Sequence, residues 1–275
     1  MRGEFVDVGG RRLYYYAAGS RGAGETVLFL HGACASSHLW HTVVPLMPAG
    51  HRLVVVDLLG SGRSDRPGEA PLTAAAHGER ALALMDDLRI DQACVVGHAA
   101  GGAAALSMAI AAPRRVTRLA LLDVPAFDDW PRRAAPVARA LARSPFGHLL
   151  GAPLLAGLAH GALLRGFADR ERGRHALDQF LLPFAQRLGV EALVGQLRAM
   201  RDPGIAALST RLDAVTQPVS VLWGARDPWL APSLGARLAA AIPASTFSAI
   251  PGARHYTPVD APEQVAAHVA SLLTR

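Results

Sequence analysis

The chain contains no lysine: every one of its 28 basic residues is arginine. Schiff-base catalysis through a lysine, and any use of pyridoxal phosphate, are therefore excluded. Charge is scarce at 18%, against 51% hydrophobic residues, which rules out a disordered or coiled-coil chain. Two cysteines, Cys34 and Cys94, provide no disulfide framework. No apolar stretch of signal-peptide type follows Met1, so the setting expected is reducing and cytoplasmic. The net charge is +6, but arginines pair only at 11–12, 114–115 and 132–133, and aromatics are 6% of the chain. With no basic block, a nucleic-acid partner is not expected. Residues 144–164 carry no Asp, Glu, Lys or Arg. That length could span a bilayer, yet Pro145, His148, Pro153, His160 and several glycines break it up, so no stable membrane insertion is expected. The 11 histidines show no metal-ligand spacing, and no phosphate-binding glycine loop is present. Neither metal nor cofactor is implied.

What is present alternates. Short apolar strands are predicted at 5–8 and 12–18 across Gly9-Gly10, then at 26–30, 53–56, 93–97 and 119–122. Helices are predicted at 39–47 (with Ser36 or Ser37 as cap), 74–88 and 100–111. Nearly continuous apolar strands alternating with helices imply a parallel sheet covered on both faces. Strands then cease. Leu177, Phe180, Leu181, Phe184 and Leu188 recur at helical spacing, and the α/β pattern resumes with strands at 219–223 and 246–250 and helices at 233–241 and 262–273. The expected layout is an α/β core of residues 1–124 and 217–275 with a helical cap, 125–216, inserted into it.

The strand ends carry the motifs. Val95-Val96-Gly97-His98-Ala99-Ala100-Gly101-Gly102 is a strand-to-helix turn crowded with small residues. Such a turn needs them, because its central residue is strained and its backbone runs close to neighbouring strands. His31-Gly32 follows the third strand, and Asp57-Leu-Leu-Gly60-Ser-Gly62-Arg-Ser64 the fourth. Trp223-Gly-Ala-Arg-Asp227-Pro228 follows the seventh, and Pro251-Gly-Ala-Arg-His255 the eighth. Over nearly its whole length the chain resembles the α/β-hydrolase superfamily, whose nucleophile elbow reads Gly-x-Ser-x-Gly. The resemblance implies an eight-stranded, mostly parallel sheet flanked by helices. It implies Asp227 and His255 as triad acid and base, and the Ala33 and Ala100 N–H groups as oxyanion hole.

The departure is Ala99, where the family has serine. A methyl group has neither lone pair nor acidic proton, so acyl-enzyme chemistry through it is impossible. Three readings follow. Ala99 replaces a serine in an inactive variant; or it is natural, and His255 activates water directly or serves lyase or cyclisation chemistry; or the chain binds ligands without turnover. Proteins resembling aminoacrylate hydrolases, with Gly-His-Ala at this turn, are a precedent for the second. The intact Asp227, His255 and oxyanion loop favour the first. The main reading is thus a serine-hydrolase-type enzyme for an apolar ester, lactone or related carbonyl compound, lacking its nucleophile.

Dehalogenases and epoxide hydrolases are excluded by the missing elbow aspartate, and hydroxynitrile lyases of this fold by the missing lysine. Ring-cleavage C–C hydrolases fit less well, since they usually show Asn at the position of His98 and Trp at that of Tyr256. His98 is expected to be structural, with its side chain turned away, and His31 likewise structural. Cys34, Phe127, Trp130, Phe146, Phe180, Phe184 and Tyr256 are the candidate substrate-binding residues. The expected partner is a small-molecule substrate, and the chain a monomer or homodimer.

Overall fold

The computed structural model describes residues 3–20, 24–127, 152–199 and 202–275. Trp130 and Phe146 lie outside them. Strands β1 (Glu4–Val8) and β2 (Arg11–Gly19) form a hairpin through Gly9 and Gly10, whose φ values of 61° and 78° suit only glycine comfortably in a two-residue turn. The remaining strands are β3 (Thr26–Leu30), β4 (Arg52–Val56), β5 (Ala93–His98), β6 (Val116–Leu122), β7 (Val219–Gly224) and β8 (Ser245–Ile250). They form one eight-stranded sheet in the order β1-β2-β4-β3-β5-β6-β7-β8. β1 and β2 pair antiparallel, as do β2 and β4; every other pair is parallel. β5 is buried at all six residues, as a central parallel strand covered on both faces must be.

Alternation along the strands divides the core. Val27, Phe29, Val55, Cys94, Val96, Ala120 and Leu122 face one apolar cluster; Leu28, Leu30, Val54, Val56, Val95, Leu119 and Leu121 face the other. Helices α1 (Ala74–Asp87) and α2 (Ala100–Ala111) pack together over the second face. α2 is apolar all round, as a helix wedged between sheet and helix must be.

The helix expected at 39–47 is instead two 3₁₀ turns, Ser37–Trp40 and Val44–Leu46. Pro45 lacks the N–H that a continuous helix would use there. Ser36 caps the first turn, accepting from the His38 N–H.

Between β6 and β7 the described regular elements are all helical: α3 (Ala152–Leu163), α4 (Arg170–Pro183), a π turn (Phe184–Leu188), α5 (Gly189–Ala199), α6 (Gly204–Ser209) and short 3₁₀ turns. The periodic residues Leu177, Phe180, Leu181, Phe184 and Leu188 are all buried, in the same cluster as one face of the sheet. After β7 come α7 (Pro232–Ala240), the single turn α8 (Thr257–Asp260) and α9 (Pro262–Leu273).

Candidate active site

The site is assembled where β3, β5, β6, β7 and β8 end. The turn after β5 sets its centre. Ala99 has φ 47° and ψ −118°, a conformation that costs a non-glycine residue about 1–3 kcal/mol. It holds because both sides of the turn are fixed. The Ala99 N–H donates to the Leu122 carbonyl at 2.9 Å, and the Ala99 carbonyl accepts from Gly102 and Ala103 to start α2. A methyl group on Gly97 would fall 2.5 Å from Gly101 O and Gly102 Cα, and one on Gly101 would fall 2.4 Å from Leu30 O. These contacts are with backbone, which cannot step aside.

The His31 ring binds the neighbouring loop in place. Its Nδ1–H donates to the Gly32 carbonyl at 2.7 Å and its Nε2 accepts from the Leu58 N–H at 2.9 Å. Burial pushes this imidazole toward its neutral form, which the two bonds require. Asp57 completes the frame, accepting from Ser37 N–H at 2.6 Å and Arg63 N–H at 2.8 Å. The structural role expected of His31 is thus specific: it fixes the loop that carries Ala33. Ala33 and Ala100 line one cavity together with Leu58, His77, Ala103 and Gln196. The Ala100 N–H, at the start of α2, is among those that an α-helix leaves without an internal partner.

Asp227 and His255 are brought together. The His255 Nδ1–H donates to Asp227 Oδ2 at 2.7 Å. The other carboxylate oxygen accepts from Trp229 N–H at 2.8 Å and Leu230 N–H at 3.1 Å, and the Asp227 side chain is fully buried. This fixes the tautomer and leaves Nε2 as the lone-pair nitrogen of His255.

His98 is not turned away from this pair. Its Nε2–H donates to the His255 carbonyl at 2.9 Å, and the two rings lie 5.0 Å apart, edge to face. The side chain supports the backbone of His255, which is why an inward orientation wins. Burial, with His255 next to it, keeps His98 neutral, and Nδ1 has no hydrogen-bond partner. A methyl group on Gly32 would lie 2.9 Å from both Ala99 Cβ and His98 Nδ1.

The expected substrate-binding residues divide. Tyr256 stacks on Phe167 at 4.1 Å and lies 6.1 Å from Phe180. Phe180, Phe184, Tyr256 and Cys34 share one cluster and are all buried. Burial raises the Cys34 thiol to about 12, so it is no nucleophile. Phe127 belongs to the opposite cluster, under the Arg237 guanidinium at 3.7 Å. Its φ of 58° swings the chain there at the end of the β6 loop.

Three residues escaped the sequence reading. Trp229 sits edge-on to His255 at 4.8 Å, and its only sequence signal is its place two residues after Asp227. His77 lies on the buried face of α1, where helical spacing from Ala81 and Leu84 could have found it. It is held neutral, lowered to about 3 by burial first and Arg80 second. Asp123, closing β6, is fully buried. Asp123, Asp227 and His255 present ligand-type atoms within 4.8 Å of one another, the one such convergence among the described residues. His255 Nδ1 and both carboxyl groups are already hydrogen-bonded to protein.

The comparisons identify the fold family. The model of the alpha/beta hydrolase fold family matches residues 25–262. A 2-hydroxy-6-oxononadienedioate/2-hydroxy-6-oxononatrienedioate hydrolase of Cupriavidus pinatubonensis is 29% identical over 232 residues, 81% of this chain and 78% of that protein. Among solved structures, an alpha/beta hydrolase fold protein of Burkholderia ambifaria superposes with TM-score 0.87 at 26% identity, covering 98% of this chain and 97% of that one. The enol-lactonase of Burkholderia xenovorans superposes with TM-score 0.83 at 24% identity over 99% of this chain and all (100%) of the other, a likeness of fold.

Proposed function

The chain belongs to the α/β-hydrolase fold family, and from that premise we propose that its site is of the serine-hydrolase type, acting on an apolar ester, lactone or related carbonyl compound, with the nucleophile missing at Ala99. One observation carries the reading: a hydrogen-bonded Asp227–His255 pair, 2.7 Å apart, is tied to the strained Ala99 turn by His98, whose ring donates to the His255 carbonyl at 2.9 Å. Strain of that kind persists only where the surrounding structure fixes it, and it clusters at functional sites.

In this reading His255 Nε2 takes the proton of an attacking hydroxyl, and Asp227 holds the tautomer and stabilises the resulting imidazolium. The Ala33 and Ala100 N–H groups receive the developing oxyanion. In the same reading residues 1–124 and 217–275 are the core and 125–216, of which 128–151, 200 and 201 lie outside the described residues, are the cap that shapes the pocket. The aromatic group of Phe167, Phe180, Trp229 and Tyr256 beside His255 supports an apolar substrate. The Cupriavidus relative is named as a hydrolase of 2-hydroxy-6-oxononadienedioate and 2-hydroxy-6-oxononatrienedioate, whose oxo group is in keeping with a carbonyl substrate.

A second reading keeps Ala99 as a working residue. The Asp227–His255 pair needs no serine to activate a water held at the same oxyanion donors, or to move a proton in a lyase or cyclisation step.

The test is Ala99→Ser assayed on short activated esters beside the unaltered chain and Ala99→Ser/His255→Ala. Restoring the hydroxyl is expected to raise turnover several hundredfold or more, and loss of His255 to abolish the gain, against a residual acceleration of about 10³–10⁴ over water without a nucleophile. If the unaltered chain already turns over its substrate, Ala99→Ser adds nothing and His255→Ala stops it, direct water activation replaces the main reading. Binding without turnover in every form would make the chain a ligand-binding relative.

A further inference from the structure

We propose that Asp123 is a positioning residue for the Asp227–His255 pair: a second, buried carboxyl group that clamps both of their segments to the end of β6 and stands ready to replace Asp227 as the charge beside His255. The inference rests on Asp227 and His255 being the working pair.

The clamp is visible in its bonds. Asp123 has φ 49°, and its N–H donates to the Leu222 carbonyl of β7 at 3.1 Å. Its Oδ1 accepts from the Gly224 N–H at 2.8 Å, three residues before Asp227. Its Oδ2 accepts from the Thr257 hydroxyl at 2.7 Å, two residues after His255. One side chain therefore ties the β7 loop and the β8 loop to a third strand. Gly224 has no room for a side chain itself, since a methyl group there would meet the Arg254 carbonyl, so the two loops already touch at the point that Asp123 grips.

The charge argument follows from proximity. Asp123, Asp227 and His255 lie within 4.8 Å of one another at their polar atoms, and both carboxyl side chains are fully buried. Two carboxylates so placed cannot both ionise without severe repulsion. The donors decide between them. Asp227 accepts two backbone N–H groups and the His255 N–H; Asp123 accepts one backbone N–H and one hydroxyl, which can reverse and accept in turn. Asp123, with the weaker set of donors, is thus the one that holds the proton. The other groups facing Asp123 are His255 and, on α8, Asp260, whose negative charge acts in the same direction. Burial first and Asp227 second push the Asp123 carboxyl well above the ordinary carboxylate range. Removing the charge at 227 takes away the second of these causes and brings the Asp123 carboxyl down toward the ordinary range, within reach of His255.

The measurement is carbon-13 NMR of the aspartate carboxyl groups in the full chain, with nitrogen-15 NMR of His255, for the unaltered protein, Asp227→Asn and Asp123→Asn/Asp227→Asn. Asp123 is expected to remain protonated at pH 7 in the unaltered chain and to be ionised at pH 7 in Asp227→Asn. The titration midpoint of His255 is expected to fall about one unit further in the double variant than in Asp227→Asn alone. A role confined to packing would leave those two midpoints equal. An ionised Asp123 in the unaltered chain would overturn the proposal, and that reading needs no variant to fold. Since no readout is an activity, failure here is separable from failure of the hydrolase reading.

Discussion

Ala99 pays for a conformation that glycine adopts freely. Relief of about 1–3 kcal/mol of strain exceeds the roughly 0.4–1 kcal/mol that glycine's extra freedom costs through the unfolded chain. Ala99→Gly is therefore expected to stabilise the protein by about 1 kcal/mol, read as a higher urea midpoint at unchanged slope. A lower midpoint would mean that the methyl group packs more than it strains. The Asp227–His255 contact and the strained turn at Ala99 were legible because each residue sits in a short string at a strand end, where few residue types fit the turn. Asp123 also ends a strand, but Leu-Leu-Asp-Val has no turn chemistry of its own, and its partners Gly224 and Thr257 are 101 and 134 residues away. Likewise, nothing local in the sequence tells that His98 turns inward to the His255 carbonyl, a contact across 157 residues.

Phe180 and Phe184 lie on one helical run and are 0% and 1% exposed. Truncating Phe180 to alanine removes a fully buried ring and is expected to cost about 3–5 kcal/mol by chemical denaturation. If the same rings also border the substrate, Phe180→Leu should change the relative rates on long and short acyl esters in the Ala99→Ser form, with little effect on the shortest. An equal loss on every ester would leave them as packing alone. The helical segment was legible in kind, because a 3.6-residue apolar period survives any change of loop. α2 and α9 match their expected ranges, 100–111 and 262–273, because small or apolar runs there are closed by Pro113 and opened by Pro262. The stretch 39–47 failed because its apolar spacing suits either helix type, and Pro45 decides for short turns. Phe127 packs on the opposite cluster from Phe180, Phe184 and Tyr256, under Arg237, a placement that composition does not mark.

Across the whole molecule, the buried neutral histidines contribute a loss of stability toward acid pH. His77 is lowered to about 3 and His38 to about 4, in both cases chiefly by burial, and His98 lies well below its ordinary value. For such groups the unfolded chain binds more protons than the folded one between the folded value and the ordinary 6.5. Stability is therefore full above about pH 6.5 and falls as pH drops, by about 1.4 kcal/mol per pH unit for each fully buried histidine. His77→Gln should flatten that limb by about one proton between pH 4 and 6 in urea titrations. An unchanged slope would mean that His77 takes up its proton while folded.

On the proposed reading this molecule holds every part of a serine-hydrolase site except one hydroxyl. Intact-mass analysis after reaction with a fluorophosphonate tests it most directly, because that reagent bonds only to an activated hydroxyl and needs no knowledge of the substrate. Ala99→Ser should gain a single adduct located at position 99, Ala99→Ser/His255→Ala should label far more slowly, and the unaltered chain should gain none. A folded Ala99→Ser protein that stays unlabelled, or an unaltered chain that takes the adduct elsewhere in the site, would contradict the claim.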